Sequence, residues 1–382
     1  MRFLSITLGT AIGMLAIGAA SADEAFVPEQ LTVEAKIKPG PNVFVVDQSW
    51  KGASRVNVLG ADDFAIKGNL SVGLVGQFAL SADHKTAYTV SAYAKRITYG
   101  PTEAVLQEFD VDSLTVKREI IILPKMAQVA PASSLLQLSA DEHYAFVQNA
   151  TPATSVTVVD LQAGKLLAEV PTPGCWGIYP ALEGTKFSTL CGDGTLASFS
   201  VSADGSFSKP NKSAKIFDAD SDPLFIHAQR AEKDLLFTSF NGNLYRISDK
   251  KDAPKLVDKF SYTQGIEGNW APGGLEVMAY NPAHKVLFVA MHPDAAEGSH
   301  KDAAQEIWAI DLKKEKVLYR SVVESPKSLA VTRGDKPVLY ALNDEEGVLA
   351  RYEIDPDAKF AAKLAGKAES MGSFATLVLV DD

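Results

Sequence analysis

Few side chains in this 382-residue sequence could do chemistry by themselves. The cysteines are two, Cys175 and Cys191, both inside PTPGCWGIYPALEGTKFSTLCGDG. A metal site, a redox pair and a disulfide compete for them. They stand 16 positions apart, which is not the CxxC spacing of redox or zinc sites, and no histidine lies between them. A Walker loop, HExxH and GxSxG are all missing from the sequence.

The six histidines offer little more. His292 and His300 share the loop MHPDAAEGSHK with Asp294 and Glu297, a set that could bind a metal in principle. Their spacing matches no established ligand pattern, so an ordered surface loop is the preferred reading and no metal is assigned. His84, His143 and His284 fall beside expected hairpin turns and should be solvated, while His227 in DPLFIHAQR reads as a satisfied strand histidine. CGDG, Cys191 to Gly194, reads as a tight turn in which Gly192 and Gly194 relax the backbone and Asp193 caps it. Of the four tryptophans, Trp308 in EIWAIDL reads as core and Trp176 as a neighbour of the cysteines. Trp50 in DQSWKGAS and Trp270 in EGNWAPGG lie in loops, where an aromatic either anchors a partner or caps the unit beneath it.

The N-terminus bears on the cysteines. MRFLSITLGTAIGMLAIGAASADEAF has a positive start at Arg2, an apolar run and an Ala20-Ser21-Ala22 cleavage pattern. Residues 1–22 read as a secretory signal peptide, with the periplasm as the expected compartment. The apolar run is short of the roughly 20 residues that span a bilayer, so no membrane anchor is expected. In an oxidising compartment two cysteines form a disulfide, worth roughly 3 kcal/mol for a loop of this length. Residues 23–40 read as an N-terminal arm. The formal charge of −10 becomes −11 without Arg2, and an acidic chain lacking a basic cluster argues against nucleic acid as a partner.

What must position these residues is a series of short strands. NVFVVD, SVTVVDL, VLFVAM and EIWAIDL recur between Gly, Asp, Asn and Pro punctuation. FALSADHKTAYTV returns as LQLSADEHYAFVQ, with a weaker relative in MAYNPAHKVLFVA. A second pattern, strand–Asp–turn–strand, gives seven turns near Ala61, Asp112, Asp160, Ser202, Asp249, Asp311 and Asp355. A period near 50 residues with about four strands per unit predicts an all-β, seven-bladed β-propeller over 41–382. SFATLVLVD is expected to close the ring on the first blade. Propellers host many functions. Without a catalytic set of its own, the chain reads as a binding scaffold or as one subunit of a larger assembly.

Six stretches occur in order: KRITYG (Lys95 to Gly100), QNATPATSVTVVD (Gln148 to Asp160), GCW (Gly174 to Trp176), CGDG, NWAPGG (Asn269 to Gly274) and MHPDAAEGSHK (Met291 to Lys301). With the export signal and blade spacing, the chain resembles the heavy chains of the tryptophan tryptophylquinone amine dehydrogenases. CGDG and HPD-x-x-EG-x-HK resemble the aromatic (aralkylamine) kind more than the methylamine kind. The resemblance implies a periplasmic assembly of two heavy and two light chains, with tryptophan tryptophylquinone in the light chain. Primary amine would become aldehyde and ammonia, and electrons would pass to a blue copper protein of the azurin or amicyanin type. It also implies that Cys175 and Cys191 pair within the heavy chain. In relatives a first-blade loop bears an aromatic at the substrate channel. The stretch here, Asp47 to Val58, is shorter and differently composed, and makes Trp50 the candidate wall residue. No catalytic residue is expected in this chain. Alternatives are a methylamine-specific heavy chain, a stand-alone periplasmic binding propeller, and a propeller lactonase with an axial metal. The last needs acidic, Asn or His residues from several blades to converge, a set the sequence does not reveal.

Overall fold

The second strand of almost every four-stranded unit is buried on both faces, and the tertiary structure explains why. A computed structural model describes residues 34–97 and 99–382; the signal-peptide segment and most of the N-terminal arm lie outside the described residues. Seven antiparallel sheets stand around one axis. Blade 1 is Asn42–Asp47, Ser54–Gly60 and Ile66–Val72, with Ala375–Val380 as its innermost strand. The C-terminal strand pairs with the N-terminal one from Val43↔Val380 to Val46↔Leu377, closing the ring as expected. Innermost strands of blades 2 to 5 are Leu74–Leu80, Leu136–Leu138, Cys175–Pro180 and Leu224–Ala231. Blade 6 uses Ala271–Pro272 and Met278–Asn281, and blade 7 uses Ser328–Val331.

Successive residues of a strand point to opposite sheet faces. In a propeller each face meets a neighbouring blade. Phe44 and Val46 therefore pack toward blade 2, with Phe78 and Phe109, while Val43 and Val45 pack toward blade 7, with Tyr340 and Leu342. The described residues contain seven such apolar clusters, one between each pair of adjacent blades. Continuous runs such as NVFVVD follow from this double burial.

All seven turns read from the sequence join the third and fourth strands of a blade. Three of their aspartates act locally. Asp160 accepts from the Ala163 amide at 2.7 Å, Asp311 from Lys313 and Lys314 at 2.9 Å, and Asp355 from Asp357 at 2.9 Å. The Ser-x-Asp pair joins first to second strands in blades 2 and 3. Ser81 donates to Asp83 at 2.7 Å and Ser139 to Asp141 at 2.6 Å.

Candidate functional site: the loop face of the ring

Antiparallel order sorts the connections by face. Links between first and second strands and between third and fourth strands emerge on one face. Links between second and third strands, and from each blade to the next, emerge on the other. Every repeated turn lies on the first face. The irregular parts of all six ordered stretches lie on the second, together with Trp50.

Two of those stretches, NWAPGG and the MHPDAAEGSHK loop, are bonded to each other. The Asn269 side chain donates to Ala295 O at 2.6 Å, and the Ala295 amide donates to Asn269 O at 2.9 Å. His292 ends a strand and is buried, its Nδ1 lying 2.8 Å from Pro293 O, whereas His300 is exposed in a short 3-10 turn, Ser299–Lys301. Among the described residues no three His, Cys, Asp or Glu side chains gather as a metal set. Trp270 of the same loop packs on the fully buried Trp308, ring centroids 5.5 Å apart, with the Arg320 guanidinium 4.5 Å above its ring. It caps blade 6.

NWAPGG also interrupts the inner strand. Pro272 and Met278 are six positions apart, yet their partners Met291 and Val289 are only two apart. The extra residues bulge toward the axis and pair in parallel with blade 7, where Glu276 meets Ser328. Gly274 takes φ +123 here, and a Cβ would lie 2.5 Å from Lys327 O.

The bulge delivers Glu276 to a cluster that sequence reasoning did not assemble. Ser133, before the inner strand of blade 3, donates from its amide to Oε1 at 2.9 Å and from its hydroxyl to Oε2 at 2.7 Å. His227 Nε2 of blade 5 lies 2.9 Å from Oε2, and its Nδ1 accepts from the Met278 amide at 3.3 Å. Burial opposes ionisation of Glu276, but His227 and the bonds from His227 and Ser133 prevail and hold its carboxyl below the usual range. Both side chains are almost wholly buried. The expectation for His227, a satisfied strand histidine, is met, but its partner was not foreseen. A glutamate inside the apolar stretch LEVMAY was the available signal. The groups satisfy one another and tie blades 3, 5 and 6 together at the axis.

The two cysteines are bonded, directly opposite each other on the first two strands of blade 4 at the loop face. In CGDG only Gly194 of the two expected glycines takes a positive φ, +83; Gly192 does not, because the turn needs a single left-handed position. Asp193 caps the turn as expected, accepting from the Thr195 amide at 3.1 Å. The hydrogen bond from Lys212, then that from the Thr195 hydroxyl, hold its carboxyl down to about 2. His284 departs from the solvated reading: it lies half-buried, its ring 5.2 Å from Phe360 and its Nε2 2.8 Å from Asp335 O.

Trp50 does not cap a blade. It stands 52% exposed at the rim of an open cavity of about 590 Å³ between the first two blades. Leu74, Val75, Ala94, Arg96 and Tyr99 complete most of the lining. The Arg96 guanidinium sits 4.7 Å over the Tyr99 ring.

The family model described as "Methylamine dehydrogenase heavy chain (MADH)" matches residues 40–382. The methylamine dehydrogenase heavy chain of Methylobacillus flagellatus is 26% identical over 321 residues, covering 82% of this chain and 78% of that one. That of Methylophilus methylotrophus is 22% identical over 337 residues, covering 86% and 82%. A periplasmic gluconolactonase structure from Pseudomonas aeruginosa superimposes with a TM-score of 0.60 at 15% identity, covering 89% of this chain and 98% of that one, a likeness of fold alone. With the match running through every blade and across the loop face, the chain belongs to the methylamine dehydrogenase heavy chain family.

Proposed function

We propose that this chain is the heavy subunit of a periplasmic quinoprotein amine dehydrogenase that oxidises a primary aromatic amine to aldehyde and ammonia. Its contribution is a rigid docking face and part of a channel wall. The observation that carries the reading is the family match over residues 40–382, which takes in all six loop-face stretches. The partner is a light chain, two with two heavy chains. The quinone cofactor, tryptophan tryptophylquinone, belongs to that light chain, where it accepts the electrons of the amine. Two tryptophans of this chain are committed to packing: Trp308 is sealed in the core and Trp270 lies against it, with the Arg320 guanidinium over both rings. Electrons leave to a blue copper protein of the azurin or amicyanin type. In this reading Trp50 offers its exposed ring as wall to the amine's side chain, binding by apolar contact and excluding water.

The aromatic preference rests on CGDG and the HPD-x-x-EG-x-HK loop. A methylamine preference is the second reading, favoured by the names of the two relatives. The test is to purify the native complex and compare phenylethylamine and tyramine with methylamine, using a dye acceptor. Quinone absorbance and faster turnover of the aromatic amines support the proposal. Faster methylamine turnover replaces the substrate, and a purified complex that oxidises neither overturns the enzymatic reading.

A further inference from the structure

The second blade is built differently from the others. Its middle strands, Thr86–Arg96 and Tyr99–Asp110, run 11 and 12 residues, whereas their counterparts elsewhere run 5 to 8. The inner strand stops pairing at Leu74↔Ala92, and the outer strand at Ala104↔Ile122. Beyond those pairs Tyr93↔Glu103 and Ala94↔Thr102 continue as a two-stranded ribbon with both edges open. At about 3.3 Å per residue, it rises roughly 13 Å above the sheet on the loop face.

A two-stranded ribbon has little stability of its own in water. Its end nevertheless exposes Ile97 at 81% and Tyr99 at 72%, with Trp50 across the cavity at 52%. Exposed apolar side chains grouped this way mark an interaction site. The charge is also out of character. In a chain of net −10, Arg96 makes no ion pair among the described residues, and no Asp or Glu lines the cavity. Stacking on Tyr99 holds the guanidinium face and leaves its edge free for a carboxylate. A polypeptide bearing a carboxylate beside an apolar side chain fits both the charge and the open form of the cavity.

We infer that the ribbon formed by residues 93–97 and 99–103 is a docking arm whose Arg96, framed by Ile97, Tyr99 and Trp50, binds a carboxylate on an apolar segment of the partner light chain. This rests on the heavy-subunit reading proposed above. Seated there, the partner covers the cavity and brings its own surface over Trp50. Arm and wall then form one interface.

The test uses the two chains co-expressed and purified as the native complex, then dissociated and titrated against each other. Arg96→Glu should weaken association about 10- to 100-fold, as expected for loss of an anchoring arginine, and Arg96→Lys should fall between. Ile97→Asp with Tyr99→Ser should weaken it comparably. Salt should weaken the wild-type pair more than the Arg96→Glu pair. Melting temperatures of the isolated variants should match wild type, because the substituted side chains are exposed. A wild-type complex that carries quinone absorbance and binds all variants equally well overturns this inference alone. An isolated wild-type chain that dimerises through Ile97, and is made monomeric by Ile97→Asp, overturns it in favour of a second copy as occupant. A wild-type chain that binds no quinone-bearing partner overturns the subunit reading and this inference with it.

Discussion

Glu276 and Ser133, 143 positions apart in sequence, meet at the axis of the ring: the serine amide and hydroxyl both donate to the one carboxylate, at 2.9 and 2.7 Å. Ser133 leads into blade 3 and Glu276 into the inner strand of blade 6, three blades away in a ring of seven. His227 of blade 5 completes the cluster on the same oxygen. A propeller is held mainly by contacts between neighbouring blades. This bond joins blades that are not neighbours, so it resists shear that the seven apolar clusters do not.

Replacing Glu276 should therefore cost more than an ordinary core change. Glu276→Ala leaves His227 and the Ser133 hydroxyl buried without their acceptor, and breaking a buried pair costs about 3–5 kcal/mol. The carboxyl of Glu276 is held below its ordinary 4.5 in the fold. Its contribution is thus complete above the unfolded value and lost as pH falls through the lower folded one. Melting temperature measured against pH should decline below about pH 5 in the wild type, with a shallower decline in Glu276→Gln. Parallel curves for the two proteins would disprove the coupling.

The disulfide between Cys175 and Cys191 closes a short loop inside one blade. Cys175→Ser with Cys191→Ser should lower stability by roughly 3 kcal/mol while leaving the propeller folded, because a chain this long buries a full core without it. Denaturant melts of the double variant, compared with wild type with and without reductant, measure the loss. Unfolding at room temperature on reduction would show that the blade depends on the bond.

Gly274 is the hinge of the bulge that delivers Glu276. Gly274→Ala combines a φ of +123 with a Cβ 2.5 Å from Lys327 O, so the backbone must move. The expected cost is more than about 1 kcal/mol. It should be accompanied by loss of the acid sensitivity assigned to Glu276, since the carboxylate is carried with the backbone. An unchanged melting profile would mean that the bulge relaxes without penalty.

Trp50→Ala should leave stability within about 0.5 kcal/mol, because half of the ring already faces solvent. In the native complex it should change KM for bulky amines several-fold and alter KM for methylamine less, as expected of a wall that touches only the larger side chain. Equal effects on both amines would remove Trp50 from the channel.

Blade number and closure were legible from residue types because they are local. The seven turns recur at near-regular spacing, and those closed by their own aspartate, as at Asp160, Asp311 and Asp355, need only the residues beside them. The cysteine pair was legible for a related reason: their spacing suits two adjacent strands, and the structure sets them opposite each other. The two loop tryptophans could not be told apart. Trp50 and Trp270 have similar surroundings in sequence, and only packing decides that Trp270 lies on Trp308 while Trp50 faces a cavity.

The axial cluster lay beyond the sequence for a physical reason. Strand periodicity reports which face of a sheet a residue occupies, not which distant residue it meets. Glu276 departs from periodicity altogether, because it sits in a bulge whose size is fixed by the register on either side. Likewise KRITYG identified a family but did not reveal an arm, since its projection depends on where the flanking strands Leu74–Leu80 and Thr115–Ile122 stop pairing. The sequence by itself determined the strands, the turns and the ring of seven. Tertiary structure decided which loops share a face, what meets at the axis and which apolar side chains remain uncovered, because each of these depends on residues brought together from separate blades.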